Sequence, residues 1–194
     1  RLDKKFQNIG KLALLATGMD LGVTDIIAGY AADELDHVYE IRMKDCGVTK
    51  SKETVSTWAP QLLWADMIEK PYVVENGRLK RVPQFSEEET YCFPDPIGPQ
   101  LCYHHFHEEP VIMTRFIKGL KYVEFKMCGP SMPLAKAVYD YGLAGKEPIE
   151  VRGAKVAPLD VFLAVTPSTP TMAEVEKMVK DGKLIDDMTC LAMD

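Results

Sequence analysis

The side chains best suited to chemistry lie close together. The run Tyr103-His104-His105-Phe106-His107-Glu108-Glu109 holds three of the four histidines of the chain. On an extended strand, side chains alternate between faces, so His105 and His107 share one, and an extended continuation brings Glu109 near them. Two imidazoles and a carboxylate suit a divalent ion, or a ligand that exchanges a proton. Pro110 breaks the strand at once and no fourth ligand is evident. A contact to ligand without metal is therefore the expectation. A second candidate is Gly18-Met19-Asp20-Leu21-Gly22-Val23-Thr24, which runs into a helix start. Glycines allow close approach, and free N–H groups at a helix start attract a carboxylate or phosphate. The plainer alternative is a strand–loop–helix turn capped by Asp20 or Thr24. Trp58 and Trp64 stand at helical spacing and suit either a substrate wall or the core.

Other chemistries find no support. The sequence contains no G-x-G-x-x-G, no Walker-type phosphate loop and no G-x-S-x-G elbow. The five cysteines, Cys46, Cys92, Cys102, Cys128 and Cys190, form no C-x-x-C pair. They read as reduced, mostly buried thiols of a cytoplasmic protein.

The elements that must hold these residues fit one domain. The chain has 194 residues, 46% of them hydrophobic and 27% charged, which suffices for a core. The net charge of −6 argues against nucleic acid or an anionic membrane as partner. Apolar runs are too short to span a bilayer. The first residue is Arg1 rather than Met, so the chain reads as a piece of a longer protein. A buried strand is expected over residues 12–16. A helix from Val23 carries the stripe Val23, Ile26, Ile27, Tyr30 and Ala31. Residues 37–44 alternate as a strand, and 47–56 read as a polar loop. A helix near Trp58 has Pro60 in its first turn and Leu62, Leu63 and Met67 inward. Asn76-Gly77 joins two strand-like runs as a tight hairpin. Strands follow at 90–93, 100–106 and 120–128, and then a helix over 134–141. The stretch 156–165 fits helix or strand equally. Thr171 to Glu174 forms a capping box for a helix burying Met172, Val175, Met178 and Val179. A last strand covers 184–193. About six strands and five helices result. The fold class is α+β, with a mixed, largely antiparallel sheet covered by helices.

Several segments, taken in order, resemble the saccharopine dehydrogenase-like family, which includes saccharopine reductases, carboxynorspermidine dehydrogenases and lysine dehydrogenases. Residues Leu14 to Ala28 are similar to its glycine-Asp-Pro-Gly turn and following helix, with Leu21 where proline is usual. Phe93-Pro94-Asp95-Pro96-Ile97-Gly98 resembles its Pro-x-Pro-x-Gly break. His107-Glu108-Glu109-Pro110 resembles its His-x-Glu-Pro segment, in which the usual Thr-Leu-Pro-Arg reads Ile112-Met113-Thr114-Arg115. Lys121 to Lys126 is similar to the strand that follows. The resemblance runs from about Gly10 to Val165.

The resemblance implies that residues 1–194 form one substrate-binding and dimerisation domain, similar to the C-terminal domain of glyceraldehyde-3-phosphate dehydrogenase. NAD or NADP is then bound mainly by a Rossmann domain absent from this chain, and the chemistry occurs at the C–N bond of an amino-acid-derived substrate. That substrate is lysine-like, saccharopine-like or carboxynorspermidine-like. His107 and Glu109 are the expected catalytic residues. Gly18, Asp20, Gly22, Trp58 and Arg115 are the expected substrate contacts. No metal is expected, and the partner is a small molecule and a second copy of the chain. The isolated chain is expected to be inactive. The alternative is a non-catalytic dimerising scaffold or amino-acid sensor of the same fold.

Overall fold

The computed structural model describes residues 2–194. The elements run α1 (Leu2–Asn8), α2 (Val23–Asp33), β1 (Glu40–Ser51), α3 (Pro60–Asp66), β2 (Tyr72–Glu75), β3 (Arg78–Arg81), β4 (Glu89–Cys92), β5 (Pro99–His104), α4 (Glu109–Phe116), β6 (Tyr122–Cys128), α5 (Met132–Asp140), β7 (Ile149–Val151), β8 (Ala154–Val156), α6 (Pro158–Val165), α7 (Met172–Lys180) and β9 (Leu184–Met193). Seven strands make one mixed sheet in the order β3-β2-β6-β1-β9, with β5 also paired to β6 and β4 to β5. Only β1 and β6 run parallel, from Glu40 opposite Tyr122 to Cys46 opposite Cys128. The remaining pairings are antiparallel. The fold is therefore α+β with a mixed sheet flanked by helices.

The two central strands divide their side chains by the pleat. Ile41, Met43, Val123 and Phe125 point to one face and pack with Val74, Ala28 of α2 and Met113 of α4. Farther along, Trp64, Tyr103, Met132, Ala135, Val138 and Leu159 bring α3, α5 and α6 together. The opposite face is also buried, yet it is charged. Glu124 accepts hydrogen bonds from Tyr122 Oη and Arg42 Nη1 at 2.8 and 3.2 Å, and His104 Nε2 lies 2.8 Å from its Oε2. Lys126 pairs with Glu89 at 3.1 Å and Lys44 with Asp194 at 3.3 Å. Lys44 also sits over the Tyr91 ring, 4.7 Å from its centroid. Glu89 and Tyr91 of β4 thus close over the lysine end of this row of ions.

Several local expectations hold. Asn76 and Gly77 take positive φ angles in the β2–β3 turn. Thr171 and Glu174 complete the capping box of α7. Other expectations are corrected. Residues 12–16 are not a strand; Leu12, Leu14 and Leu15 are exposed, because no strand among the described residues pairs with them. The stripe on α2 faces outward, and that helix buries Thr24 and Ala28 instead. Likewise α7 buries none of its residues, and Leu62 of α3 is exposed. The first half of the expected polar loop at 47–56 is strand, since β9 supplies β1 with a partner as far as Ser51, and the loop begins only after it. The β7–β8 hairpin, turning at Arg152-Gly153 with positive φ, was not anticipated. Nor are all the cysteines reduced. Cys102 and Cys128 stand opposite each other on β5 and β6 and are joined as a disulfide, while Cys46, Cys92 and Cys190 are free.

The ion row predicts an acid sensitivity. Burial pushes the Glu124 carboxyl up, but His104, Tyr122 and Lys126 outweigh it and hold it at about 2. A depressed carboxyl contributes stability that is complete above its unfolded value near 4.5 and is lost as pH falls toward about 2. Melting curves of wild type and Glu124→Gln should therefore differ most near neutral pH and converge below pH 4.5. A gap that stays constant from pH 7 to about 3 would contradict this assignment.

Candidate functional site

Glu109 is the anchor of the cluster and has no exposed surface. It is the first residue of α4, where a carboxylate suits the positive end of the helix dipole. Both of its oxygens are partnered. Thr24 Oγ1 of α2 donates to Oε1 at 3.1 Å, and His107 Nδ1 lies 2.8 Å from Oε2. The other imidazole nitrogen, Nε2, is 3.7 Å from Asp20 Oδ2. The His107 ring lies flat on Phe125 of β6, with centroids 4.2 Å apart and planes at 16°. Glu109 thus orients one imidazole nitrogen, Phe125 fixes the ring plane, and Nε2 is left directed toward Asp20.

The loop before α2 brings Asp20 to this place. Gly18 N–H donates to Leu21 O, and Val23 N–H and Thr24 N–H donate to Gly18 O and Met19 O. Gly22 has φ +140° and is the tightest point, since a Cβ there would come within 2.3 Å of Gly18 O. Glycine is required at that position. The same hydrogen bonds correct an expectation. The first N–H groups of α2 are spent inside the loop and do not present themselves to a ligand carboxylate. Neither Asp20 nor Thr24 caps the helix by its side chain.

The cluster is charged and poorly hydrated. Burial pushes the His107 imidazole down, but the hydrogen bond and charge of Glu109, with Asp20, outweigh this, and it titrates above its ordinary range. Asp20 is raised chiefly by burial, with His107 pulling the other way. Asp45 of β1 is raised to about 7 by burial and by the neighbouring Asp20. Asp25 and Asp66 are also raised, in each case first by burial. His105 is fully buried 6.1 Å from His107, centroid to centroid, and burial drives it down to about 3, so it is neutral.

The structure brings together Asp20, His107 and Glu109, with Gly18 and Gly22 shaping the loop that carries Asp20. Trp58 and Arg115 are not brought to them. Trp58 is exposed ahead of α3, and its carbonyl accepts from the Ser56 and Thr169 hydroxyls. Arg115 is exposed in the last turn of α4 and makes no ion pair among the described residues. Glu109 opens that helix, so six residues and about 9 Å of axis separate the two. Two residues at the site escaped the sequence reading. Thr24 was considered only as a cap. Asp45 sits in register with Ile41 and Met43 on the apolar face of β1, and a carboxylate at a core position was the signal that would have exposed it. Asp20, His107 and Glu109 each offer an atom to one point, as a metal site would. However, His107 Nδ1 and both Glu109 oxygens are already engaged, which leaves a poor ligand set.

The buried carboxylate makes a testable demand. Thr24→Val keeps the shape and removes a donor from Glu109, so it should cost about 1–3 kcal/mol in urea unfolding. Gly22→Ala should cost at least as much through its close contacts. Wild-type stability in Thr24→Val would show that Glu109 does not depend on that hydroxyl.

Known proteins resemble the chain over most of its length. It is 30% identical over 178 residues to a carboxynorspermidine synthase of Vibrio cholerae and 29% identical over 179 residues to that of Vibrio alginolyticus. It is 26% identical over 174 residues to a carboxyaminopropylagmatine dehydrogenase of Synechocystis sp.. These alignments cover 87–88% of this chain but only 42–44% of the relatives, so the chain spans less than half of their length. Among solved structures, apo saccharopine dehydrogenase (L-Glu forming) from Saccharomyces cerevisiae shares the fold. Its TM-score is 0.53 at 14% identity, over 84% of this chain and 44% of that one. No family model matches. The order of the motifs, the sequence relatives and the shared fold agree in supporting the saccharopine dehydrogenase-like family.

Proposed function

We propose that this chain is the substrate-binding domain of an NAD(P)-dependent oxidoreductase acting on the C–N bond of a carboxylated, amino-acid-derived amine. The observation that carries the reading is the oriented His107. Its Nδ1 is tied to buried Glu109, its ring is stacked on Phe125, and its Nε2 is directed to the Asp20 loop. The names of the sequence relatives support it, since they are dehydrogenases or synthases of carboxylated polyamines. On this reading the domain is of the kind found at the C-terminus of glyceraldehyde-3-phosphate dehydrogenase, and a second copy provides the dimer contact.

The dinucleotide does not fit within the described residues. They contain no G-x-G-x-x-G turn between a strand and a helix, and in the glycine loop before α2 the N–H groups of Gly18, Val23 and Thr24 are bound within the loop. We assign the cofactor to a Rossmann domain outside this chain. The residues present have a narrower task. His107 gives a proton to the substrate nitrogen as its imine is reduced, and takes it back when the amine is oxidised. Glu109 holds the imidazolium that lends the proton. Asp20 and its glycines form the wall beside that nitrogen.

The test uses the complete natural chain with NADH and NADPH and a panel of lysine-like, saccharopine-like and carboxynorspermidine-like amines. Turnover is expected with at least one carboxylated amine. His107→Gln should lower kcat by about 10²–10⁴ with a smaller effect on KM. Arg115→Ala should leave both unchanged, as its distance from the cluster requires. Full activity in His107→Gln would remove the proton-transfer role, and no turnover across the panel would remove the reading.

A further inference from the structure

We propose that Cys190, Cys46, Cys128 and Cys102 form a thiol–disulfide exchange site, which takes up a small-molecule disulfide at Cys190 and passes the oxidation inward as a cross-link between Cys190 and Cys46. The four stand on the face of the sheet that carries Lys44 and Lys126, opposite the one on which His107 stacks on Phe125. Their chemistry is therefore independent of the oxidoreductase reading.

Register brings the sulfurs together. Residues directly opposite each other on paired strands send their side chains to the same face. Cys102 is opposite Cys128, Cys128 opposite Cys46, and Cys46 opposite Cys190. Strands β5, β6, β1 and β9 thus each present one sulfur in a single row. All four cysteines pack in one apolar cluster with Phe93 and Tyr91. Cys102 and Cys128 are already joined, and Cys46 and Cys190 are free. Paired strands lie about 4.8 Å apart, and a disulfide spans Cα separations of about 4.4–6.8 Å. Cys46 and Cys190 can therefore be bridged while β1 and β9 keep their pairing. Accessibility gives the row a direction. Cys102 and Cys46 have no exposed surface and Cys128 only 2%, whereas Cys190 on the edge strand is half-buried.

A row of sulfurs suits exchange better than it suits a metal. Across four strands it extends about 14 Å, whereas zinc gathers its thiolates around one point at about 2.3 Å. In exchange, the attacking thiolate approaches a sulfur from the side away from the sulfur that leaves. Cys46 has that position behind Cys190, with solvent on the far side. Burial pushes the Cys46 thiol up to about 11, which makes it a poor first nucleophile, so the half-buried Cys190 reacts first. Cys190 gives up its proton and attacks one sulfur of the external disulfide, and half of that molecule leaves as a thiol with the proton. Cys46 then loses its proton and attacks Cys190 Sγ. The bond from Cys190 to the other half breaks, and this half leaves as a second thiol. One external disulfide is reduced to two thiols, and two cysteine thiols are oxidised to one cross-link. Cys92 is exposed too, but it lies outside the row, opposite Pro99, and has no cysteine across from it to complete the second step.

The test treats the complete natural chain with glutathione disulfide under native conditions and maps its cross-links by mass spectrometry of unreduced peptides. The parent and both variants carry Cys92→Ser, which removes the exposed thiol outside the row. The parent is expected to form Cys46–Cys190. Cys46→Ala should stop one step earlier and retain glutathione on Cys190, exceeding the parent by about tenfold or more. Cys190→Ala should leave Cys46 a free thiol. It replaces a half-buried residue, so it still decides the matter should the buried Cys46→Ala fail to fold. Oxidation should also raise the melting temperature of the parent, since a cross-link restricts the unfolded chain, and reduced glutathione should restore the original value. Cys190→Ala should show neither change. The proposal is overturned by a Cys190 that stays a free thiol, by glutathione that remains on Cys190 while Cys46 is present, or by cross-linking that proceeds only in urea.

Discussion

A carboxylate removed from water must find donors for both oxygens, and Glu109 sets that condition at the centre of this domain. Its two partners come from distant parts of the chain, Thr24 from α2 and His107 from the segment after β5. Satisfying Glu109 therefore docks α2 against α4 and turns His107 onto Phe125 in one arrangement. The loop carrying Asp20 follows, because Thr24 N–H is bound to Met19 O and Gly22 packs against Gly18. The stability of a buried charge and the geometry of a reactive imidazole are thus the same set of contacts. Loss of either partner would leave a desolvated charge, so the arrangement is close to all-or-none.

The sheet below follows a related logic with opposite chemistry on its two sides. Val123 and Phe125 of β6 enter an apolar layer, while Glu124 and Lys126, their immediate neighbours, enter a buried row of ions. The register of β1 against β6 places Arg42 beside Glu124 and Lys44 beside Lys126. Those lysines draw compensation from Glu89 and Asp194 at the margin. A slip of one residue would put Glu124 among methionines and Phe125 among lysines, so the pairing is strongly specified.

What could be read from the chain alone divides along the range of the forces involved. The Asn76-Gly77 hairpin and the Thr171–Glu174 capping box depend on neighbours in sequence, and both formed as expected. The stripe on α2 was a true pattern with the wrong partner assigned. Amphipathicity identifies an apolar face, but a packing partner must exist to cover it, and Thr24 and Ala28 made the contact instead. The strand expected at 12–16 lacked a neighbour, and β1 outran its expected end because β9 lay alongside. At the site, the proximity of His107 and Glu109 was legible from spacing, though Glu109 arrived on a helix rather than an extended continuation. Asp20 was singled out by its glycine loop and by resemblance, with no local signal joining it to His107. Asp45 needed the β1–β6 pairing, a contact across some eighty residues, before its position beside Asp20 had meaning.

The pairing of the strands also lines up four sulfurs. Cys102 opposes Cys128, Cys128 opposes Cys46, and Cys46 opposes Cys190, one from each of β5, β6, β1 and β9. Only the first two are joined. Because adjacent positions on a strand face opposite ways, this file of thiols exists only while all four strands keep their native alignment. It is a built-in gauge: the cross-links recovered when the chain is oxidised part-way through folding would tell which neighbouring strands had already found their places.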